Sequence, residues 1–419
     1  MVEYESFLNI LKEELVPAMG CTEPIAIAYA ASLCAKVLKE EVVSVKAFVS
    51  GNIIKNVKSV IVPNTQGLKG IEASIAAGIC GGNSDLKLEV IAFLDENDRC
   101  QIREFLSRDC IEVKPIKSHE VLDIQIECQG KEHKAIVRIK QEHTNVVLVQ
   151  RDETILYQNN TKKVKRKSDR KCLTVEKIVE FANIVKIEDV REIIERQIHY
   201  NMDIAVEGLK NDYGANIGKI LLEAYGDDVK VKARAYAAAG SDARMSGCSK
   251  PVVINSGSGN QGMTASLPVI VYAKELQVSD EQLIRSLVVS NLITIHLKTG
   301  IGPLSAYCGA VSAGCGAGCG IAYLHGKDTN VINHTLVNAI AIGSGIICDG
   351  AKPSCASKIA LSVDAGIMGY LMATHQKEFK DGEGLVLKGV ENTISNISRL
   401  SKKGMKSTDR EIIQMMCKC

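Results

Sequence analysis

The residues best able to do chemistry are cysteines, and they are concentrated in one part of the sequence. Five of the 15 cysteines lie between positions 308 and 355, namely Cys308, Cys315, Cys319, Cys348 and Cys355. Iron-sulfur clusters are held by several thiolates on rigid turns, and backbone amides beside Gly, Pro and Ser can bond to such a cluster. The pattern favours a cluster site but does not choose three ligands from five. Cys315 and Cys319 have helical spacing among glycines and alanines, which favours a packing role for both.

A glycine-rich turn follows a short apolar segment. Residues 251–255 read PVVIN, a strand pattern, and residues 257–262 read GSGNQG, which fits a dinucleotide-binding turn. That function needs a second strand ending in an acidic residue about 20 positions later, but helical sequence stands there. We therefore expect the turn to present its amides and the side chains of Asn255, Asn260 and Gln261 to a small anion such as an amino-acid carboxylate.

Length and charge limit the classes of function. The 419 residues exceed the size of roughly 250 to 300 residues at which one hydrophobic core stops growing, so we expect two domains. The 51 basic and 49 acidic residues nearly cancel, which argues against binding to nucleic acid or a membrane surface. The chain opens with charged helical sequence and has an odd number of cysteines, which favours a reducing, cytoplasmic location over disulfides.

The periodicity of the first part of the chain predicts helices followed by a sheet. Residues 4–40 have helical spacing, broken near Cys21, which therefore stands at or just before a helix N-terminus. From residue 42 to about 158, short Val- and Ile-rich segments alternate with charged turns, and one of them is LEVIAFL at residues 88–94. This pattern predicts a mostly antiparallel sheet, with one helix near residues 70–79.

A basic run at residues 162–171 predicts a solvated linker between two domains. We place residues 1–165 in an N-terminal domain and residues 166–419 in a cluster-binding domain in which most segments have helical period. The predicted fold class is α+β, with an N-terminal mixed α/β domain that contains a mostly antiparallel sheet, followed by an all-α C-terminal domain.

Five segments together resemble the L-cysteine desulfidases. They are MGCTEP near the N-terminus, SGNIIKNVKSVIVPNTQGLKGIEASIAAG, GSGNQG, IGPLSAYCG and CDGAKPSC. The resemblance extends over nearly the whole chain, and the last two motifs in this order are specific. That family is similar in its helical domain to the iron-sulfur L-serine dehydratases.

The resemblance implies a 4Fe-4S cluster bound by three cysteines, with one iron free to take the substrate. At matching positions the ligands would be Cys308, Cys348 and Cys355. Cys315 is close enough to Cys308 in sequence that it could replace it. Cys21 matches the residue proposed in the family as the proton acceptor.

The implied reaction suits these residue types. An iron with an open position can hold the substrate thiolate while a base removes the α-proton. Elimination gives aminoacrylate and hydrogen sulfide, and aminoacrylate hydrolyses to pyruvate and ammonia. A thiol with an unperturbed pKa of about 8.5 is mostly protonated at neutral pH, so Cys21 needs its helix N-terminus or the cluster to act as a base. The nearby Glu23 would oppose that ionisation and is the alternative base.

Three other functions remain open. Cysteine and serine differ by one atom at the leaving group, so an iron-sulfur L-serine dehydratase is the first alternative. The second alternative is a pyridoxal-phosphate lyase that would use Lys352 to form its Schiff base, although no phosphate-binding pattern accompanies this lysine. A non-catalytic metal-binding protein is the third, and the polar turns with Asn52, Lys55 and Asn64, which we expect to contact substrate, argue against it. The expected partner is an amino acid, and the sequence does not decide whether the chain is a homo-oligomer.

Two further cysteines stand at the C-terminus, Cys417 and Cys419. Chain ends usually fray, so the simplest expectation is a docked helix with free terminal residues. The related serine dehydratases suggest instead that Cys419, or Cys417, occupies the open iron until substrate displaces it.

Overall fold

The structure is a computed structural model that describes residues 3–159, 168–302 and 304–417. The predicted boundary between residues 165 and 166 lies outside these ranges and stays a prediction. The helices are α1 (Tyr4–Glu14), α2 (Thr22–Leu38), α3 (Gly51–Val57), α4 (Gly70–Gly81), α5 (Glu96–Ser107), α6 (Val175–Ile184), α7 (Ile187–Lys210), α8 (Ile217–Tyr225), α9 (Val229–Met245), α10 (Gly259–Leu276), α11 (Asp280–Ile301), α12 (Gly309–Leu324), α13 (Thr329–Gly343), α14 (Cys355–Thr374), α15 (Val390–Arg399) and α16 (Lys406–Cys417). The strands are β1 (Pro17–Met19), β2 (Ser44–Val49), β3 (Ile111–Pro115), β4 (Asp123–Gln129), β5 (Lys134–Lys140), β6 (Val146–Arg151), β7 (Thr154–Gln158) and β8 (Pro251–Val253).

Six of the strands form one sheet in the order β3-β2-β4-β5-β6-β7. Only β2 and β3 run parallel, so the predicted mostly antiparallel sheet and the α+β class are confirmed. Side chains of β4 and β5 alternate between the core and the surface, as the period of two requires. Helix α2 lies on the buried face and α4 packs on α2.

The prediction of a strand at residues 88–94 is wrong. Residues 84–89 form a 3-10 helix in which Lys87 has a φ of 51°, and turns follow it. Val90, Ile91 and Leu94 are still buried, in the core that contains α2 and α4. The apolar pattern correctly predicted that these residues are buried, but a buried turn can have the same pattern as a strand.

The chain begins in the helical body and then crosses to the sheet. Phe7 of α1 stacks on Phe181 of α6 with ring centroids 5.0 Å apart, and α1 shares one hydrophobic core with most later helices. The short β1, which periodicity missed, pairs with β8, with Ala18 opposite Val252. Helix α2 then enters the separate core of the sheet. The residues that join β1 to α2 therefore lie where the two cores meet.

From residue 168 onward the described chain is helical apart from β8. The end of the predicted linker is docked and not solvated, because Arg170 is buried and bonds to Glu13 at 2.9 Å and Glu14 at 2.8 Å. Over the described ranges, no helix combines the length and apolarity needed to cross a membrane.

Glycines on α12 let this helix touch its neighbours backbone to backbone. A Cβ on Gly314 would lie 2.1 Å from the carbonyl oxygen of Ser362 on α14. A Cβ on Gly316 would lie 2.5 Å from a carbonyl oxygen of α11. Because Cys308 caps α12 and Cys355 begins α14, this packing sets the distance between the two cysteines.

Gly314→Ala should therefore destabilise the protein, because its methyl group must push α12 away from α14. Overpacking of this kind costs about 1–3 kcal/mol in free energy of unfolding. The urea midpoint of the variant is the measurement, and Gly345→Ala is the control, because a Cβ there meets no atom within 4 Å. Equal midpoints for the two variants would contradict this account of the helix packing.

Candidate functional site

Two of the predicted cluster cysteines lie on adjoining turns. The segments around Cys308 and Cys348 are joined by a β-bridge between Tyr307 and Ile347. The N–H of Cys308 donates to the carbonyl of Ile346 at 3.2 Å, and the N–H of Cys348 donates to the carbonyl of a residue two positions before Cys308 at 2.7 Å. These backbone bonds bring together two cysteines that are far apart in sequence.

The third cysteine reaches the same place through a turn. Cys355 begins α14, and its Sγ donates to the carbonyl of Gly350 at 3.6 Å. Gly350 has a φ of 98°, and a Cβ on it would lie 2.3 Å from the carbonyl oxygen of Lys55, so only glycine fits this turn. Cys308, Cys348 and Cys355 all line one cavity of about 120 Å³.

The other two cysteines of this region lie elsewhere. Cys315 and Cys319 are fully buried within α12, and neither is among the described residues that line the cavity. Cys319 Sγ points to the carbonyl of Ile332 at 3.8 Å. Both positions agree with the packing role that the helical spacing favoured.

Cys21 lies at the same cavity and comes from the junction of the two cores. It caps α2, and its Sγ donates to the sulfur of Met245 at 3.7 Å. Burial raises the pKa of the Cys21 thiol to about 12, although Arg244 opposes this shift. Cys355 packs against the small apolar cluster that contains Cys21 and Met245, so the predicted catalytic cysteine adjoins a predicted ligand.

Glu23, two residues further along, is an ionised carboxylate in the cavity. Burial raises the pKa of this group, but the ring of His143 and the guanidinium of Arg244 outweigh burial and hold it below its usual value. The amide of Asn56 donates to Glu23 Oε1 at 3.2 Å, as does the Thr22 hydroxyl to Oε2 at 3.2 Å. His143 Nε2 lies 3.9 Å from Oε1, beyond hydrogen-bond length.

Helix N-termini converge on the cavity. Helices α2, α10, α12 and α14 begin there, at Cys21, Ser258, Cys308 and Cys355 or one residue beyond. Each N-terminus carries a partial positive charge of roughly half an elementary charge and free N–H groups. The arrangement is suited to anions such as thiolates, a cluster with thiolate ligands, or a carboxylate.

The residues expected to contact substrate are divided by the structure. Asn260 and Gln261 line the cavity, and the Asn260 side chain accepts a hydrogen bond from Arg244 at 3.0 Å. Lys55 also lines it, but its ammonium bonds to Asp409 of α16 at 2.6 Å. Asn64 lies outside, where its amide donates to two backbone carbonyls of residues 91 and 92.

Two other residues from the sequence analysis also lie away from the cavity lining. Asn52 is buried in α3, and its Oδ1 has no partner among the described residues. Lys352 bonds to the carbonyls of Asp349 and Gly350 and to the Asp349 carboxylate. A lysine held in this way is poorly placed to form a Schiff base in the cavity, which disfavours the pyridoxal-phosphate alternative.

The sequence analysis missed four charged or titratable residues of the site, and no local motif marks any of them. Arg244 and Lys298 come from the ends of α9 and α11, His143 from the β5–β6 hairpin, and Lys358 from the first turn of α14. Burial lowers the pKa of Lys298 to about 8. Only the fold brings these positions together.

Comparison with known proteins identifies the family of the chain. Residues 86–414 match the model of the serine dehydratase alpha chain. The chain belongs to the serine dehydratase alpha-chain family. It is 58% identical over 415 residues to a UPF0597 protein of Desulfitobacterium hafniense, covering 99% of this chain and 96% of that protein. It is 48% identical over 414 residues to a UPF0597 protein of Lachnoclostridium phytofermentans, covering 99% of both chains.

The serine dehydratase alpha-chain family is one of iron-sulfur dehydratases, and the donor set here fits such a group. In the described chain, no three His, Cys, Asp or Glu side chains are placed to bind a single metal ion together. A polynuclear cluster instead needs thiolates around its perimeter, and Cys308, Cys348 and Cys355 line one cavity. Burial raises the pKa of Cys308 to about 12, so binding iron would release protons.

The C-terminal helix is attached near the cavity. Besides the Lys55–Asp409 ion pair, the ammonium of Lys58 donates to the carbonyl of Met416 at 2.8 Å. The predicted role of Cys419, and the side chain of Cys417, lie outside the described residues.

Proposed function

We propose that the protein is an iron-sulfur lyase that eliminates sulfide from L-cysteine. The observation that carries the proposal is the single cavity lined by Cys308, Cys348, Cys355, Cys21 and Glu23. The products would be hydrogen sulfide and aminoacrylate, which hydrolyses to pyruvate and ammonia. Free thiols in this number suit a reducing compartment such as the cytoplasm.

Cys308, Cys348 and Cys355 would hold a 4Fe-4S cluster. When bound, the cluster supplies an iron with an open position, a Lewis acid that holds the substrate sulfur. The N-termini of α12 and α14 and the side chains of Lys298 and Lys358 offer positive charge beside these cysteines, which suits a cluster with thiolate ligands. Cys315 lies outside the cavity, which favours Cys308 as the ligand.

The α-carbon end of the substrate would bind near the start of α10. There Arg244 is 3% exposed, and its guanidinium bonds to Asn260 while its Nε has no partner in the described chain. A carboxylate would pair with Arg244 and with the free amides of the helix N-terminus. Gln261 lines the same wall, with its Oε1 unpaired among described residues.

The α-proton would pass to Cys21 or to Glu23. Burial holds Cys21 as a neutral thiol, so it must lose a proton before it accepts another. Glu23 would accept the proton directly as a carboxylate, but His143 and Arg244 hold its pKa below the usual value, which makes it a weak base. The two residues adjoin each other at one helix N-terminus, so either can face the same carbon.

A second function is favoured by the family match. Serine presents a hydroxyl where cysteine presents a thiol, and the matching family model is that of the serine dehydratase alpha chain. The same cavity would eliminate water from L-serine by the same steps. A non-catalytic metal-binding protein remains the weakest candidate, because an ionised buried Glu23 and an unpaired Arg244 Nε add nothing to metal storage.

The proposal is tested by purifying the protein without oxygen and assaying L-cysteine and L-serine in parallel. We expect close to four irons and four acid-labile sulfides per chain, with pyruvate formed from both substrates and a higher kcat/KM for L-cysteine. A higher kcat/KM for L-serine would mean that the protein is a serine dehydratase and not a cysteine desulfidase. Iron-loaded protein without pyruvate from either amino acid would contradict both.

Variants of the two candidate bases separate their roles. Losing a general base typically lowers turnover by a factor of roughly 100 to 10,000. We expect that loss for Cys21→Ala, with iron content unchanged, since Cys21 is not one of the three ligands. Glu23→Gln is the partner variant, measured in the same assay. If Cys21→Ala keeps full turnover and Glu23→Gln loses most of it, the base is Glu23 and not Cys21.

A further inference from the structure

Lys298 is a buried cation at the contact between two cavities. It lies in the last turn of α11 and is 5% exposed. It lines the cavity with the cysteines, and also a second cavity of about 370 Å³ whose walls include Glu14, Arg170 and Thr299. The proposed substrate contacts described above do not use it.

This lysine lacks the partner that its neighbours have. Of the three lysines that line the cysteine cavity in the described chain, Lys55 pairs with Asp409 and Lys358 pairs with Asp349. The backbone carbonyl of Lys298 accepts a hydrogen bond from Gly302, but its ammonium makes no hydrogen bond or ion pair with any described residue. Burying an ammonium without a partner is costly, so an anion bound in the cavity would stabilise Lys298.

The position of Lys298 indicates which anion would bind there. Lys298 lines the same cavity as Cys308 and Cys348, and negative charge on these two sulfurs, more than that of Glu14, would raise its pKa against the effect of burial. Arg244, whose guanidinium bonds to Asn260, influences the pKa values of Cys21 and Glu23 instead. Arg244 would therefore bind the α-carbon end of the substrate, and Lys298 would lie at the other end, beside the cysteines, where the departing sulfur would be.

We propose that Lys298 stabilises the hydrosulfide as it leaves the substrate. This inference rests on the proposed function. L-Cysteine would react with its thiol protonated: the base takes the α-proton, the electron pair of the Cα–H bond becomes the Cα=Cβ bond, and the Cβ–S pair departs with the SH group as hydrosulfide. The ammonium of Lys298 balances that negative charge and keeps its own proton, so no other reactant is needed.

The test is Lys298→Met, assayed with L-cysteine and with β-chloro-L-alanine. Removing a group that stabilises charge developing in the transition state costs on the order of 100-fold in kcat. We expect that loss for L-cysteine with little change in KM, and a much smaller loss for β-chloro-L-alanine, because chloride is a far weaker base than hydrosulfide. Inhibition of the enzyme by added sulfide should also weaken.

Lys274→Met is the matched control, since Lys274 is an exposed lysine in the last turn of α10. It should behave as wild type. Iron and sulfide content of Lys298→Met should be unchanged, and its thermal stability should not fall, because an unpaired buried charge is removed.

Loss of iron from Lys298→Met would show that Lys298 serves cluster retention and would overturn the inference. An equal loss of kcat for both substrates, or no loss, would overturn it as well. Wild-type enzyme that releases no sulfide from L-cysteine would contradict the proposed function itself.

Discussion

The positive charge at the cavity is the constraint on which the rest of the structure depends. Four helix N-termini and the side chains of Arg244, Lys298 and Lys358 surround one small space. Their mutual repulsion would be unfavourable unless anions occupied that space. The anions that the chain itself can supply are the carboxylate of Glu23 and the sulfurs of Cys308, Cys348 and Cys355, which become thiolates when they bind iron.

Holding this arrangement together requires contacts between distant parts of the chain. The β1–β8 pair and the packing of α1 on the later helices return the start of α2 to the helical body. Backbone contact at Gly314 sets α12 against α14, and the bridge beside Cys308 and Cys348 joins two loops. The β5–β6 hairpin then brings His143 from the sheet to the cavity. The site therefore exists only when both cores are folded.

Local features of the structure were predictable from local sequence. Alternation in β4 and β5, the helix at residues 70–81 and the packing role of Cys319 each follow from neighbours in the chain. The resemblance to the desulfidases selected Cys21 and the three candidate ligands, and spacing alone did not. What escaped prediction was non-local. The three-residue β1 exists only because β8 pairs with it, and a lysine such as Lys298 looks in sequence like any other helix-end lysine.

The most direct test of the account is Mössbauer spectroscopy of the protein reconstituted without oxygen using isotopically enriched iron. Three cysteine ligands predict a 4Fe-4S cluster in which one iron differs from the other three, and the signal of that iron should shift when L-cysteine is added. Four equivalent irons, unaffected by L-cysteine, would contradict the account. So would a cluster that is retained in full when Cys308, Cys348 and Cys355 are all changed to serine.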